Sequence, residues 1–275
     1  MSARPAAGLL PAERSVTRGR RAWYFYQLRR SLRPWLAAPL LLLAFLPALV
    51  ILVLAWAGRM QGRRAAAFVS SPGFYARLFD GLLLHTVVFF GCAWLFLQLI
   101  RGELTGRILH FAWLSPISRG WLGWGKYFAG ATLSLVLFNF ATLASRLLLL
   151  RARHAGLGGH ELAEYLGIVS LACLGYGAVF FYMGARFRQP LFPALAFLGW
   201  EQINFLLPPW LQRVSIIYYL HALHPGGIPA HAWGFVPPPM RAVTAVIWLL
   251  GISAGLAWLG VRRFARLEVN YGNED

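Results

Sequence analysis

What most constrains this chain is a series of apolar runs about 20 residues long, separated by short stretches rich in arginine. A helix rises about 1.5 Å per residue, so each run matches a hydrocarbon core about 30 Å thick. Of 275 residues, 59% are hydrophobic and only 13% charged, where a soluble domain carries roughly a quarter. A water-soluble globule is thereby excluded. The formal charge of +17 would suggest nucleic acid on a soluble protein, but here the basic residues flank apolar runs, so they read as orientation and lipid contact. Cys92 and Cys173 each sit inside such a run and are expected to be buried packing residues, with no disulfide framework.

Apolar stretches bounded by charge or by Gly and Pro predict an all-α integral membrane protein with six spans, at about 35–57, 78–100, 127–149, 162–184, 190–207 and 242–261. The fifth is unusual: Pro190 and Pro193 open it, Glu201 lies inside it, and Pro208-Pro209 close it. With the N-terminus inside, 17 of the 26 basic residues fall on the cytoplasmic side and 9 outside, which places both termini in the cytoplasm. The opening residues carry Arg4, Arg14, Arg18, Arg20 and Arg21 but no uninterrupted apolar stretch, unlike a cleaved signal peptide. Residues 1–34 form a cytoplasmic arm, 35–261 the membrane domain and 262–275 a cytoplasmic tail. In the arm, Trp23, Tyr26 and Arg30 share helical spacing, as do Phe25, Leu28 and Leu32. Two readings stand there, a helix lying in the inner membrane interface or a plain basic flank.

Between the second and third spans runs Gly102-Glu103-Leu104, an amphipathic stretch, Pro116-Ile117-Ser118-Arg119, and then Gly125-Lys126. Leu104, Ile108 and Phe111 share one helical face, while Glu103 and Arg107 stand four apart on the polar side. Pro116 interrupts the helix. The proline lies 13 residues after the glutamate, and Lys126, the only lysine in the chain, a further 10 on.

These residues and offsets resemble the loop of permease subunits in the type-2 exporter family of ABC transporters, which typically reads Gly-Glu, a helical stretch, Pro-Ile-Ser-Arg and Gly-Lys. One departure is Arg107-Ile108, where family members usually carry Gly-Thr; Gly106 sits one residue early. The resemblance implies a coupling helix around Glu103–Trp113 that docks on a cytoplasmic ATPase, with Gly102, Glu103, Leu104, Arg107, Ile108, Phe111, Pro116, Ser118, Arg119 and Lys126 as the coupling residues. Without it, the same stretch reads as an ordinary amphipathic connector. The resemblance further implies two ATPase subunits per complex, a second permease half (the same or a related chain), and a bacterial inner-membrane location. It also implies re-entrant helices before the last span that form an outer gate.

Gly120 to Lys126 formally satisfies the phosphate-loop pattern, but Tyr127 follows where a Ser or Thr should reach magnesium, and no nucleotide-binding strand precedes it. Trp121 and Trp124 are read as interface aromatics. No segment is long enough for an ATPase domain. ATP and magnesium would therefore act through the partner ATPase, and this chain is expected to bind no cofactor itself.

Glu201 is costly inside a membrane. Asn204 lies three residues on, and Arg146 is a candidate partner. Either Glu201 lines the translocation route or an interface between halves, or the fifth span ends early and Glu201 sits at the outer interface. In 208–239, Trp210, Leu211, Val214, Ile217, Tyr218 and His221 suggest one short amphipathic helix, with Trp210, Val214, Ile217 and Tyr218 as gate candidates; a surface loop is the alternative. His221, His224 and His231 lack a further ligand in that segment, so no metal site is expected. His85 stands alone in the second span, and no catalytic set is evident. The Gly251-x-x-x-Gly255 pair in the last span permits a close helix crossing, although such pairs commonly serve packing within one chain. The expected function is the permease half of an ATP-driven exporter that does not itself hydrolyse ATP. The alternatives are a polytopic membrane enzyme acting on lipid or peptide, with Glu201 or His85 catalytic, and a non-transporting scaffold.

Overall fold

The computed structural model describes residues 11–61, 74–105, 117–153, 159–224 and 240–267. Among these residues every regular element is helical. The order is α1 (Pro11–Ser31), α2 (Pro34–Gln61), α3 (Phe74–Leu78), a π-helical segment (Phe79–Val88), α4 (Phe89–Thr105), α5 (Arg119–Arg153), α6 (Gly159–Arg186) and α7 (Leu191–Gln202). A 3-10 turn (Asn204–Leu206), α8 (Pro209–Gln212), α9 (Ile216–His221) and α10 (Ala242–Ala265) complete it.

Among the described residues, five helices are long and apolar enough to cross a membrane: Pro34–Ala57, Phe74–Gly102, Arg119–Arg151, His160–Arg186 and Ala242–Ala265. They coincide with five of the six expected spans. The remaining one, 190–207, differs. Its helix α7 has 12 residues, about 18 Å of rise against a core of about 30 Å. The chain then tightens into the 3-10 turn and leaves through an extended Leu207 and Pro208. Proline locks its own φ and pushes its predecessor out of the helical region, so Pro208-Pro209 sets where this helix must stop.

Helix α6 is the centre of the bundle, packed against α10, α5, α4 and the π-helical segment. Small residues and aromatics interdigitate around it. Phe89 meets Tyr176, Phe180 and Phe197 at ring distances of 5.3, 5.1 and 5.9 Å. Cys92 and Cys173 are buried free thiols in this core, as expected. By contrast, α2 and α10 turn large apolar side chains outward, among them Leu42, Leu49, Trp56, Val243 and Ile247. Lipid tails are as apolar as leucine, so such faces cost nothing in a bilayer.

Among the described glycines, the least room for a side chain is at Gly91 of α4. A Cβ placed there would overlap the ring of the fully buried Phe138 on α5. Gly91→Ala is therefore expected to destabilise the protein by about 1–3 kcal/mol through overpacking, and Gly91→Ala/Phe138→Leu to recover part of the loss. Thermal unfolding of the detergent-solubilised protein measures both. If Gly91→Ala melts like the wild type, the Phe138 ring does not set the spacing of α4 and α5.

Candidate functional site

Three constellations of polar residues stand out, one at the end of the bundle that carries the loop motif and two at the opposite end.

At the first end the motif residues meet α1. Lys126 lies in the second turn of α5, fully buried, and its Nζ donates a 2.9 Å hydrogen bond to the Leu99 carbonyl of α4. The ammonium sits 5.8 Å from the Trp23 ring and 5.5 Å from the Phe264 ring. Trp23 Nε1 donates to the Leu122 carbonyl at 3.2 Å. The indole lies so close to α5 that a Cβ on Gly125 would come within 2.8 Å of its Cδ1, so the position before Lys126 must lack a side chain. Arg30 Nη2 donates to the Gly102 carbonyl at 3.0 Å. Gly102, Gly125 and Lys126 thus converge, joined by Trp23 and Arg30 of α1. Ser118 and Arg119 are exposed beside them, and Ser118 O accepts the first helical hydrogen bond of α5, from Leu122 N at 3.1 Å.

Lys126, one of the residues the resemblance assigns to coupling, is fully enclosed by its own chain and links α4, α5, α1 and α10 from within. The phosphate-loop look-alike is the helical start of α5, which leaves no loop of amides to wrap a phosphate. Glu103 and Leu104 belong to the last turn of α4. Arg107, Ile108, Phe111 and Pro116, and with them most of the expected coupling helix, lie outside the described residues.

At the opposite end Glu201 is buried at 3% exposure. Its Oε1 accepts from Ile216 N at 3.0 Å; its Oε2 accepts from Ile217 N at 3.0 Å, Ser215 Oγ at 2.9 Å and Tyr176 Oη at 3.3 Å. Helix α9 begins at Ile216, after an extended Ser215. The first amides of a helix have no intrahelical acceptor and carry its positive dipole end. Glu201 supplies both an acceptor and a negative charge from α7, and so acts as a cap donated by another element. That cap explains why 208–221 is not one amphipathic helix. The chain breaks at Ser215 into α8 and α9, with Trp210 and Val214 exposed and Ile217 and Tyr218 buried.

The candidate pairing of Glu201 with Arg146 is not formed. Arg146 instead pairs with Glu161 at the start of α6, and its guanidinium lies 4.8 Å from the Tyr75 ring and 5.9 Å from the Tyr165 ring. The two residues are only 15 apart in sequence, facing each other where α5 hands over to α6. Asn204 is buried in the 3-10 turn, outside the Glu201 network, and its Oδ1 has no hydrogen-bond partner among the described residues.

The third constellation escaped sequence reasoning. His85 does not stand alone: its Nδ1 lies 2.8 Å from Asp80 O and 3.7 Å from Asp80 Oδ1, and its ring is 5.7 Å from that of His221. His221 Nε2 is 2.7 Å from Asp80 Oδ1. The π-helical register makes this possible. Residues five apart diverge by about 140° around an α-helix, whereas an i→i+5 turn stacks them on one side; Thr86 Oγ1 donating to Gly81 O at 3.2 Å repeats the pattern. One signal was available in the sequence: Asp80 is an acid inside an expected span, and such a residue asks for a partner.

No family model matches the chain, and no curated protein is similar to it in sequence.

Proposed function

We propose that this chain is the membrane-spanning permease subunit of an ATP-driven exporter of the type-2 ABC family, forming half of a translocation pathway in a bacterial inner membrane. The observation that carries the reading is the loop motif. Gly102-Glu103, Pro116-Ile117-Ser118-Arg119 and Gly125-Lys126 stand at the family's spacing. Its described members Gly102, Gly125 and Lys126 are tied into the spans and to α1 by Arg30, Trp23 and the Leu99 carbonyl. A push from an ATPase on this loop would then be delivered to several helices at once. In this reading α1 lies in the inner interface and both termini are cytoplasmic. The short α7 and the α8 and α9 helices form the outer, re-entrant part, with α7 standing as the sixth membrane segment. A second permease half, the same or a related chain, completes the pathway. Gly251 and Gly255 support such an arrangement, because among the described residues nothing lies within 4 Å of where a Cβ on either would stand, which leaves that face of α10 open to another membrane segment.

Co-expression with a candidate ATPase subunit, purification in detergent and ATP turnover in lipid test the proposal. The expected result is a complex with two ATPase subunits. Glu103→Lys should lower lipid-stimulated turnover about tenfold, the equivalent of ~1.4 kcal/mol of coupling. Failure of the ATPase to co-purify, or turnover unchanged by Glu103→Lys, would overturn the assignment.

A further inference from the structure

We infer that Asp80, His85 and His221 form a binding site for a divalent transition-metal ion, Zn²⁺ fitting best, which clips α9 to the π-helical segment of the second span. The inference does not depend on the permease reading.

One ligand atom from each of the three residues lies within 4.8 Å of the other two. Zinc bonds of about 2.0–2.1 Å in tetrahedral geometry place ligand atoms about 3.4 Å apart, so shifts of about 1 Å would gather the set around one ion. All three side chains are enclosed but not sealed, at 7% exposure for Asp80, 10% for His221 and 15% for His85. A small dehydrated ion could therefore enter from the bundle end and remain sheltered. Two imidazoles and one carboxylate form a borderline donor set that suits Zn²⁺ and its neighbours; magnesium and calcium call for oxygen ligands. Three protein ligands leave a fourth position for water.

The backbone supplies a second argument. A π-helical stretch of ten residues is rare, since most are single turns, and they gather at functional sites. Here the register has a chemical consequence, because it alone puts His85 beside Asp80. The third ligand comes from α9, 141 residues away in sequence, and α9 is the helix that Glu201 caps. Metal bound by all three would fix that helix against the span. An ion at this site would take the Nε2 lone pair of a neutral His221, with the ring's single N–H on Nδ1, and an oxygen of the Asp80 carboxylate in place of the present His221–Asp80 contact.

The test uses the full chain in detergent, with any affinity tag removed and metal stripped by a chelator. Titration with Co²⁺, followed by displacement with Zn²⁺, should give the visible absorption of a nitrogen- and oxygen-ligated cobalt site and one ion per chain by elemental analysis. His85→Ala and His221→Ala should each weaken Zn²⁺ binding at least tenfold. His160→Ala should leave it unchanged, because His160 is exposed and pairs with Glu164. Should the alanine variants fail to fold, His85→Gln and Asp80→Asn keep the side-chain shapes and replace them in the same assay. Binding well below one ion per folded wild-type chain would overturn the inference, leaving an Asp-His hydrogen-bonded pair. So would Zn²⁺ affinity unchanged in the ligand variants.

Discussion

Glu201→Ala is expected to cost about 2–6 kcal/mol, because it leaves the buried amides of Ile216 and Ile217 without an acceptor at about 1–3 kcal/mol each. The effect should exceed that of any substitution on the outward faces of α2 and α10. Glu201→Gln tests the mechanism more sharply. Both carboxylate oxygens accept from donors: Oε1 from Ile216 N, Oε2 from Ile217 N, Ser215 Oγ and Tyr176 Oη. An amide would have to turn its NH₂ toward one of those amides, replacing a hydrogen bond with two opposed donors. About half of the loss should therefore appear in the glutamine variant, although size and shape are preserved. Thermal unfolding in detergent compares the two, and proteolysis of the 205–224 region should rise in both as α9 loosens. If Glu201→Gln is as stable as the wild type, Glu201 is not held as a cap, and the alternative of a water-facing group on a translocation route regains its ground. The ordinary test of a transport residue is complicated for the same reason, since any loss of activity in these variants would follow first from losing α9.

Long apolar runs were readable because a bilayer imposes a length and a polarity that few residues can disguise, and Pro34–Ala57 or Ala242–Ala265 satisfy both. The 190–207 run has the polarity without the length. Its proline brackets and Glu201 pointed to an irregular segment, but not to a helix of 12 residues. What could not be read was anything that depends on register or on chain reversal. Asp80 and His85 are five apart, a spacing that means opposite sides under α-helical assumptions and the same side under π. The partner His221 is supplied by a helix whose start is fixed by Glu201, so one misread element concealed two sites. Arg146 is a candidate partner for Glu201 by its place in the third span, yet it lies within reach of Glu161 across the α5–α6 connection, and proximity in the chain prevailed. At the motif end the sequence located the residues but not their packing. Gly125 and Lys126 are special because they pack, and a motif alone does not distinguish a residue that touches a partner from one that holds the surface in place.

Lys126→Arg should damage the protein more than Lys126→Met, the reverse of what charge conservation suggests. Every other basic position in this chain is arginine, and the site shows why this one is not. A compact ammonium on a thin stem fits between the Trp23 and Phe264 rings and delivers a donor to the Leu99 carbonyl while fully enclosed. A guanidinium is wider and planar, and brings five N–H groups in a rigid fork. With Trp23 already pressed against Gly125, it has no room without displacing α1, and its added donors would be buried against rings. Overpacking of about 1–3 kcal/mol and at least one orphaned charged donor at a similar cost together predict a loss of about 2–6 kcal/mol. Methionine keeps the stem and fills the space, so its cost should be about 1 kcal/mol from the lost hydrogen bond, since replacing a buried charge with an apolar side chain of like volume is often close to neutral. Melting temperature in detergent ranks the three proteins. A Lys126→Arg protein as stable as the wild type, or more stable than Lys126→Met, would show that the site has room for arginine and that the solitary lysine is not dictated by its packing.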